Sequence, residues 1–111
     1  MEIAELKSQG VMILGLKGRL DASNANTVEQ KVLGLIDAGE NRWVIDLGQL
    51  DYISSAGLRV LLMAAKRLRT GGGKIALASL QDHVKEVFDI AGFSAIFAIY
   101  ANRDAAIAAV E

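Results

Sequence analysis

The sequence contains no cysteine and no proline, one histidine, and only 5% aromatic residues. Without cysteine there is no disulfide framework and no thiolate metal site. One histidine among scattered carboxylates gives no metal-ligand spacing, and no cofactor is expected. Few aromatics argue against a base-stacking surface. The formal net charge of −1 gives no global bias towards nucleic acid. Hydrophobic residues make up 52% of the chain, yet no run approaches the ~20 apolar residues of a membrane span. The start, Met1-Glu-Ile-Ala-Glu-Leu-Lys7, is acidic where a signal peptide is basic. A soluble, cytoplasmic protein without direct membrane insertion is expected. Low-complexity segments, linkers and internal repeats are also missing. The 111 residues suit a single domain, 1–111. A chain of that size buries roughly 60–68% of its unfolded surface, enough for one core.

Apolar periodicity supplies the elements. Ile3 to Leu6 and Val11 to Leu16 read as two short strands joined through Ser8-Gln-Gly10. Gly15 inside the second suggests a bulge or close packing. Asp21 or Ser23 could cap a helix that runs to about Ala38, with Val28, Val32, Leu35 and Ile36 at helical spacing. Arg42 to Leu47 carries an apolar run too short for a helix, as in a central strand covered by helices. A helix follows from about Ala56 to Arg69. Leu58, Leu61, Leu62, Ala65 and Leu68 form its inward face, and Arg59, Met63, Lys66 and Thr70, with Arg67 beside them, the outward one. Lys74 to Ala78 is a strand. Leu80 to Ala91 is a helix with Val84, Val87, Phe88 and Ala91 inward, stopped by Gly92. Ala95 to Ile99 is a last strand, and Asn102 or Asp104 starts a short Ala-rich helix. Strands alternating with helices imply right-handed crossovers and an α/β fold with a mixed, mostly parallel sheet of about five strands and about four helices.

Chemistry concentrates at Leu50-Asp-Tyr-Ile-Ser-Ser-Ala-Gly-Leu-Arg59. Ser54 and Ser55 stand between a strand and a helix, where backbone N–H groups lack partners. One serine can be simply an N-cap. Ala56 and Gly57 fit either close helix–strand packing or the approach of a partner's active site to the backbone. Asp21 ends a strand on the same side; it can cap a helix or join a site at the loop edge. The outward face of the second helix is either a solvated charged face or a docking surface of Arg59, Met63, Lys66 and Arg67. A serine-hydrolase reading is poorly supported. Gly-x-Ser-x-Gly is absent, and His83 opens a different helix, leaving no adjacent base. Gly71-Gly-Gly-Lys74 follows a helix and precedes a strand, the reverse of a phosphate-binding loop, and reads as a helix stop.

Ile53-Ser-Ser-Ala-Gly-Leu58 after Val44-Ile-Asp-Leu47, with Gly18-Arg-Leu-Asp21 upstream, resembles the STAS domain of anti-sigma-factor antagonists. Gly71-Gly-Gly-Lys74 and Val87-Phe-Asp-Ile-Ala-Gly-Phe93 extend the resemblance over nearly the whole chain. It implies a single small STAS-like domain of the same α/β class and a binding module, not an enzyme. The family motif commonly reads Asp-Ser-(Ser/Thr/Ala)-Gly-Leu, with the Ser after the Asp phosphorylated. Aligned on Gly57-Leu58, the acceptor falls on Ser55, and the Asp position is occupied by Ser54, a departure that makes Ser54 a possible second site. The resemblance further implies an anti-sigma factor as partner, itself a serine-protein kinase with a histidine-kinase-like ATP-binding fold. A serine phosphatase would reset the switch. Asp21, Ser54, Ser55, Ala56, Gly57, Arg59, Met63, Lys66 and Arg67 are the candidate partner-binding residues. The main rival keeps the domain but makes it a subunit docked on the ATPase of a lipid-transporting ABC system, without a phosphorylation cycle.

Overall fold

The computed structural model describes residues 1–111. Strands β1 (Glu2–Ser8) and β2 (Val11–Leu20) form an antiparallel hairpin with Ser8 opposite Val11. Gln9 and Gly10 make the two-residue turn, both at positive φ (55° and 77°), which matches the twist of the flanking strands. Strands β3 (Arg42–Ile53), β4 (Lys74–Ala78) and β5 (Ile99–Tyr100) follow in parallel, and the sheet order is β1-β2-β3-β4-β5. Every crossover therefore steps in one direction. Right-handed crossovers then place α1 (Ala25–Asp37), α2 (Ser55–Thr70) and α3 (Asp82–Ile90) on one face. The larger core lies there, joining Leu14, Trp43, Ile45 and Leu47 of the sheet to Val28, Val32, Leu61, Leu68, Val84 and Phe88. Helix α4 (Arg103–Val110) covers the other face, where Val11, Ile13, Val44, Ala76 and Ala78 meet Ala106 and Val110.

Several boundaries differ from the sequence expectation. Strand β3 runs on past Leu47 to Ile53. Its last buried residues are Leu47, Leu50 and Ile53, three apart, and the pairing with β2 slips after Gly15 and again after Gly18. These irregularities break the two-residue alternation that marks a strand in sequence. Helix α1 starts at Ala25, and neither Asp21 nor Ser23 caps it through a side chain. Helix α2 starts one residue earlier than expected. Its buried arc includes Val60 and Ala64, whereas Leu62 is only half-buried. The arc is rotated because α2 packs against α1 as well as the sheet. Ala91 is exposed at the end of α3 instead of inward. The segment before β5 is a 3-10 turn, Phe93–Ala95, because Phe88, Phe93 and Phe97 gather with centroids 6.1–6.4 Å apart and fold the chain back on itself.

Candidate functional site

The adjacent C-terminal ends of β2 and β3 bring the candidate residues together. Leu20 is in register with Ile53, and the Ser54 backbone N–H donates to the Leu20 carbonyl at 2.9 Å. Asp21 and Ser54 therefore leave neighbouring strands side by side.

The two serines have different roles. Ser54 is extended (φ −92°, ψ 173°), and its Oγ accepts from the Gly57 N–H at 3.2 Å: it is the N-cap of α2. Ser55 is the first helical residue. It is exposed, and its hydroxyl bonds to no protein group. Of the two readings open for Gly57, packing is the one the geometry requires. Gly57 is buried, and a Cβ there would stand 2.7 Å from Leu20 Cγ and 2.9 Å from Ile53 Cγ1. Ala56 is half-buried against the same core.

The turn before α1 is closed by its own polar groups. Asp21 Oδ1 accepts from the backbone N–H and the hydroxyl of Ser23. The Ser23 hydroxyl, then its N–H, hold the Asp21 carboxyl below the ordinary value of 3.8; slight desolvation opposes them, and the Arg19 charge helps. Asp21 is thus an anion fixed beside the serines. Asn24, which sequence reasoning missed, locks the turn: its Oδ1 accepts from the Asp21 N–H at 3.0 Å and its amide donates to the Arg19 carbonyl at 2.7 Å. The asparagine before the apolar stretch was the available signal. Also missed were Arg19 and Tyr52, paired across β2 and β3, with the guanidinium 4.1 Å from the ring centroid.

Along α2, Arg59 and Lys66 are exposed and take no part in an ion pair. Arg67 is also exposed but reaches Asp37 of α1 at 3.4 Å, a surface pair worth at most about 1 kcal/mol and readily exchanged. Met63 departs from the expected outward position: it is half-buried against the core. His83 lies elsewhere, its Nε2–H donating to the Asp51 carbonyl at 2.6 Å. The glycines after α2 form a turn. Gly72 has φ 79°, and a Cβ on Gly73 would sit 2.5 Å from the Asn41 carbonyl oxygen. A cavity of about 540 Å³, lined in part by Glu2, Lys17, Asp46 and Arg103, includes no candidate residue. The serine region carries one free hydroxyl and one fixed anion, and the exposed cations Arg59 and Lys66 follow along α2.

The chain as a whole is similar to known proteins. The STAS domain family matches residues 3–106. A protein of Bordetella bronchiseptica, BtrV, named as a candidate anti-sigma factor antagonist, is 47% identical over 111 residues, spanning 100% of this chain and 96% of its own. The anti-sigma F factor antagonist of Paenibacillus polymyxa is 29% identical over 104 residues, 93% of this chain and 89% of the relative. The crystal structure of a candidate anti-sigma factor antagonist from Thermotoga maritima superposes with a TM-score of 0.93 at 25% identity, covering 97% of this chain and 93% of that one.

Proposed function

The chain belongs to the STAS domain family, and we propose that it is an anti-sigma-factor antagonist switched by phosphorylation of Ser55. In its unmodified form it binds an anti-sigma factor that is also a serine kinase with a histidine-kinase-like ATP-binding fold, and so frees a sigma factor. The kinase transfers phosphate to Ser55, the antagonist is released, and a metal-dependent serine phosphatase restores it. The protein itself carries out no catalysis in this cycle. The site of action is the cytoplasm, where sigma factors work.

The observation that carries this reading is the division of labour between the two serines. Ser54 fulfils the helix cap, so the Ser55 hydroxyl is left exposed and unbonded in the first turn of α2. Ser54 stands where the family keeps an aspartate, and an oxygen that accepts from the Gly57 N–H is what either residue provides there. The base that activates the acceptor hydroxyl belongs to the kinase.

The switch works through charge. Phosphate adds about −1.5 to −2 charges at Ser55. The start of a helix tolerates an anion, so the fold persists. A partner surface built to meet a neutral hydroxyl instead meets a dianion that it must desolvate. Losing ~3 kcal/mol of binding weakens affinity more than a hundredfold. Asp21 lies beside the serines, Arg59, Met63, Lys66 and Arg67 follow along α2, and these form the rest of the proposed contact, whereas Gly57 contributes only by letting α2 start close to the strands.

Incubation with ATP and the cognate kinase, followed by intact mass and site mapping, tests the reading. We expect one phosphate on wild type, at Ser55, and none on Ser55→Ala. Phosphate on Ser54 would move the switch by one residue. No phosphate from an active kinase that binds the protein would refute the cycle and favour a docking subunit of an ATPase.

A further inference from the structure

Ser55 and Arg59 are both exposed on α2 and lie four residues apart, one helical turn along the same face. The other arginines near this helix are engaged. Arg67 meets Asp37, Arg69 donates to the Ile96 carbonyl at 2.6 Å, and Arg19 lies over Tyr52. Lys66 is free but sits two turns beyond Arg59. Arg59 is therefore the free guanidinium within one turn of the acceptor hydroxyl. In the unmodified protein nothing draws it back towards Ser55, which is neutral.

A phosphate at Ser55 alters that. It presents three strong acceptor oxygens, and a guanidinium presents a planar fork of donors that matches them. The order along the helix, anion first and cation four residues later, is the favourable one. Other charged groups lie at this end of the sheet: Asp51 on β3, whose carboxylate accepts from Gln81, and two on β2 and the turn after it. Asp21 is an anion held by Ser23 and repels the phosphate; Arg19 is a cation already stacked.

We infer that phosphorylated Ser55 is captured by Arg59 of the same helix, so modification withdraws a cation from the partner-facing surface while adding an anion to it. The inference rests on the phosphorylation reading above and specifies its mechanism. Release of the partner then has two components. One is the new dianion. The other is the loss of a guanidinium that was free to meet an acidic group across the interface.

Phosphoserine placed at position 55 during translation tests the capture without any kinase. The readout is the second ionisation of the phosphate, followed by phosphorus NMR during a pH titration. A neighbouring cation favours the dianion, so Arg59→Gln is expected to raise that pKa by about 0.3 unit, a twofold change in proton affinity, as befits an exposed pair at this spacing. Lys66→Gln and Arg19→Gln are expected to leave it where it is in the phosphorylated wild type. An unchanged pKa in Arg59→Gln, or a rise in Arg19→Gln instead, overturns the capture. Failure of a kinase to modify Ser55 would contradict the cycle proposed above but would not alter this titration, so the two can fail separately.

Discussion

Gly57→Ala sets two opposing effects against each other. Alanine is the better helix former by about 1 kcal/mol, so on propensity alone the change stabilises α2. The new methyl, however, points into the strands, 2.7 Å from Leu20 Cγ, 2.9 Å from Ile53 Cγ1 and 3.1 Å from Leu20 Cδ2. Carbon atoms pack at about 3.5–4.0 Å, so something must move by roughly 1 Å. Leu20 is fully buried and Ile53 is 3% exposed, so neither side chain has free space to enter. Overpacking of this kind destabilises by about 1–3 kcal/mol. At the middle of that range packing wins, with a net loss of about 1 kcal/mol. Urea denaturation of wild type and variant measures it directly. The helix start would also be pushed outward, carrying Ser54 and Ser55 with it. Phosphorylation rate and partner affinity should fall together, although the variant keeps both hydroxyls. A variant as stable as wild type, or more so, would refute the claim that α2 is wedged against the ends of β2 and β3.

The two serines should separate by stability as well as by chemistry. Ser54→Ala removes the cap and is expected to destabilise by about 1 kcal/mol, whereas Ser55→Ala should stay within about 0.5 kcal/mol; parallel urea curves check both. Ser54→Asp, which restores the family residue, should retain the cap and remain near wild-type stability in the same assay. The carboxyls of Asp21 and Asp89 are both held below their ordinary 3.8, the first by Ser23 and the second by the Ser94 hydroxyl. A folded-state pKa below the unfolded one gives stability that is present above the unfolded value and lost as pH falls through the folded one. Asp21→Asn and Asp89→Asn should therefore lose less stability than wild type between neutral pH and pH ~2, as read from denaturation midpoints across that range.

Where a residue's neighbours in sequence determine its environment, sequence and structure agree closely. The hairpin, the strand Lys74–Ala78, the Asn102 start of α4 and the turn at Gly71-Gly-Gly73 all follow from local pattern, and all are present. Departures occur where a distant element decides. The continuation of β3 to Ile53 depends on its slipped pairing with β2, which no alternation in β3 itself reports. The buried arc of α2 depends on α1, so Met63 is half-buried and Val60 and Ala64 are buried. The serine motif, Asp21 and the cations of α2 stand out by residue type and spacing alone. Which serine caps and which stays free does not, because the start of a helix is uncertain by a residue or two from sequence. Arg19 and Tyr52 are far apart in the chain and acquire meaning only from register.

The unbroken strand order has a further consequence, for the time course of synthesis. Each strand pairs with the one made just before it, so none must wait for a later segment to supply its edge. Only the hairpin closes a short loop; each parallel pair closes around a crossover helix, as between Met12 and Trp43, and forms more slowly. The surface that bears Ser55 is built from β2, α1, β3 and α2, all encoded before Gly71. The last third of the chain adds β4, α3, β5 and α4 around a contact face whose components have already emerged, in the N-terminal-first order in which nascent chains are made.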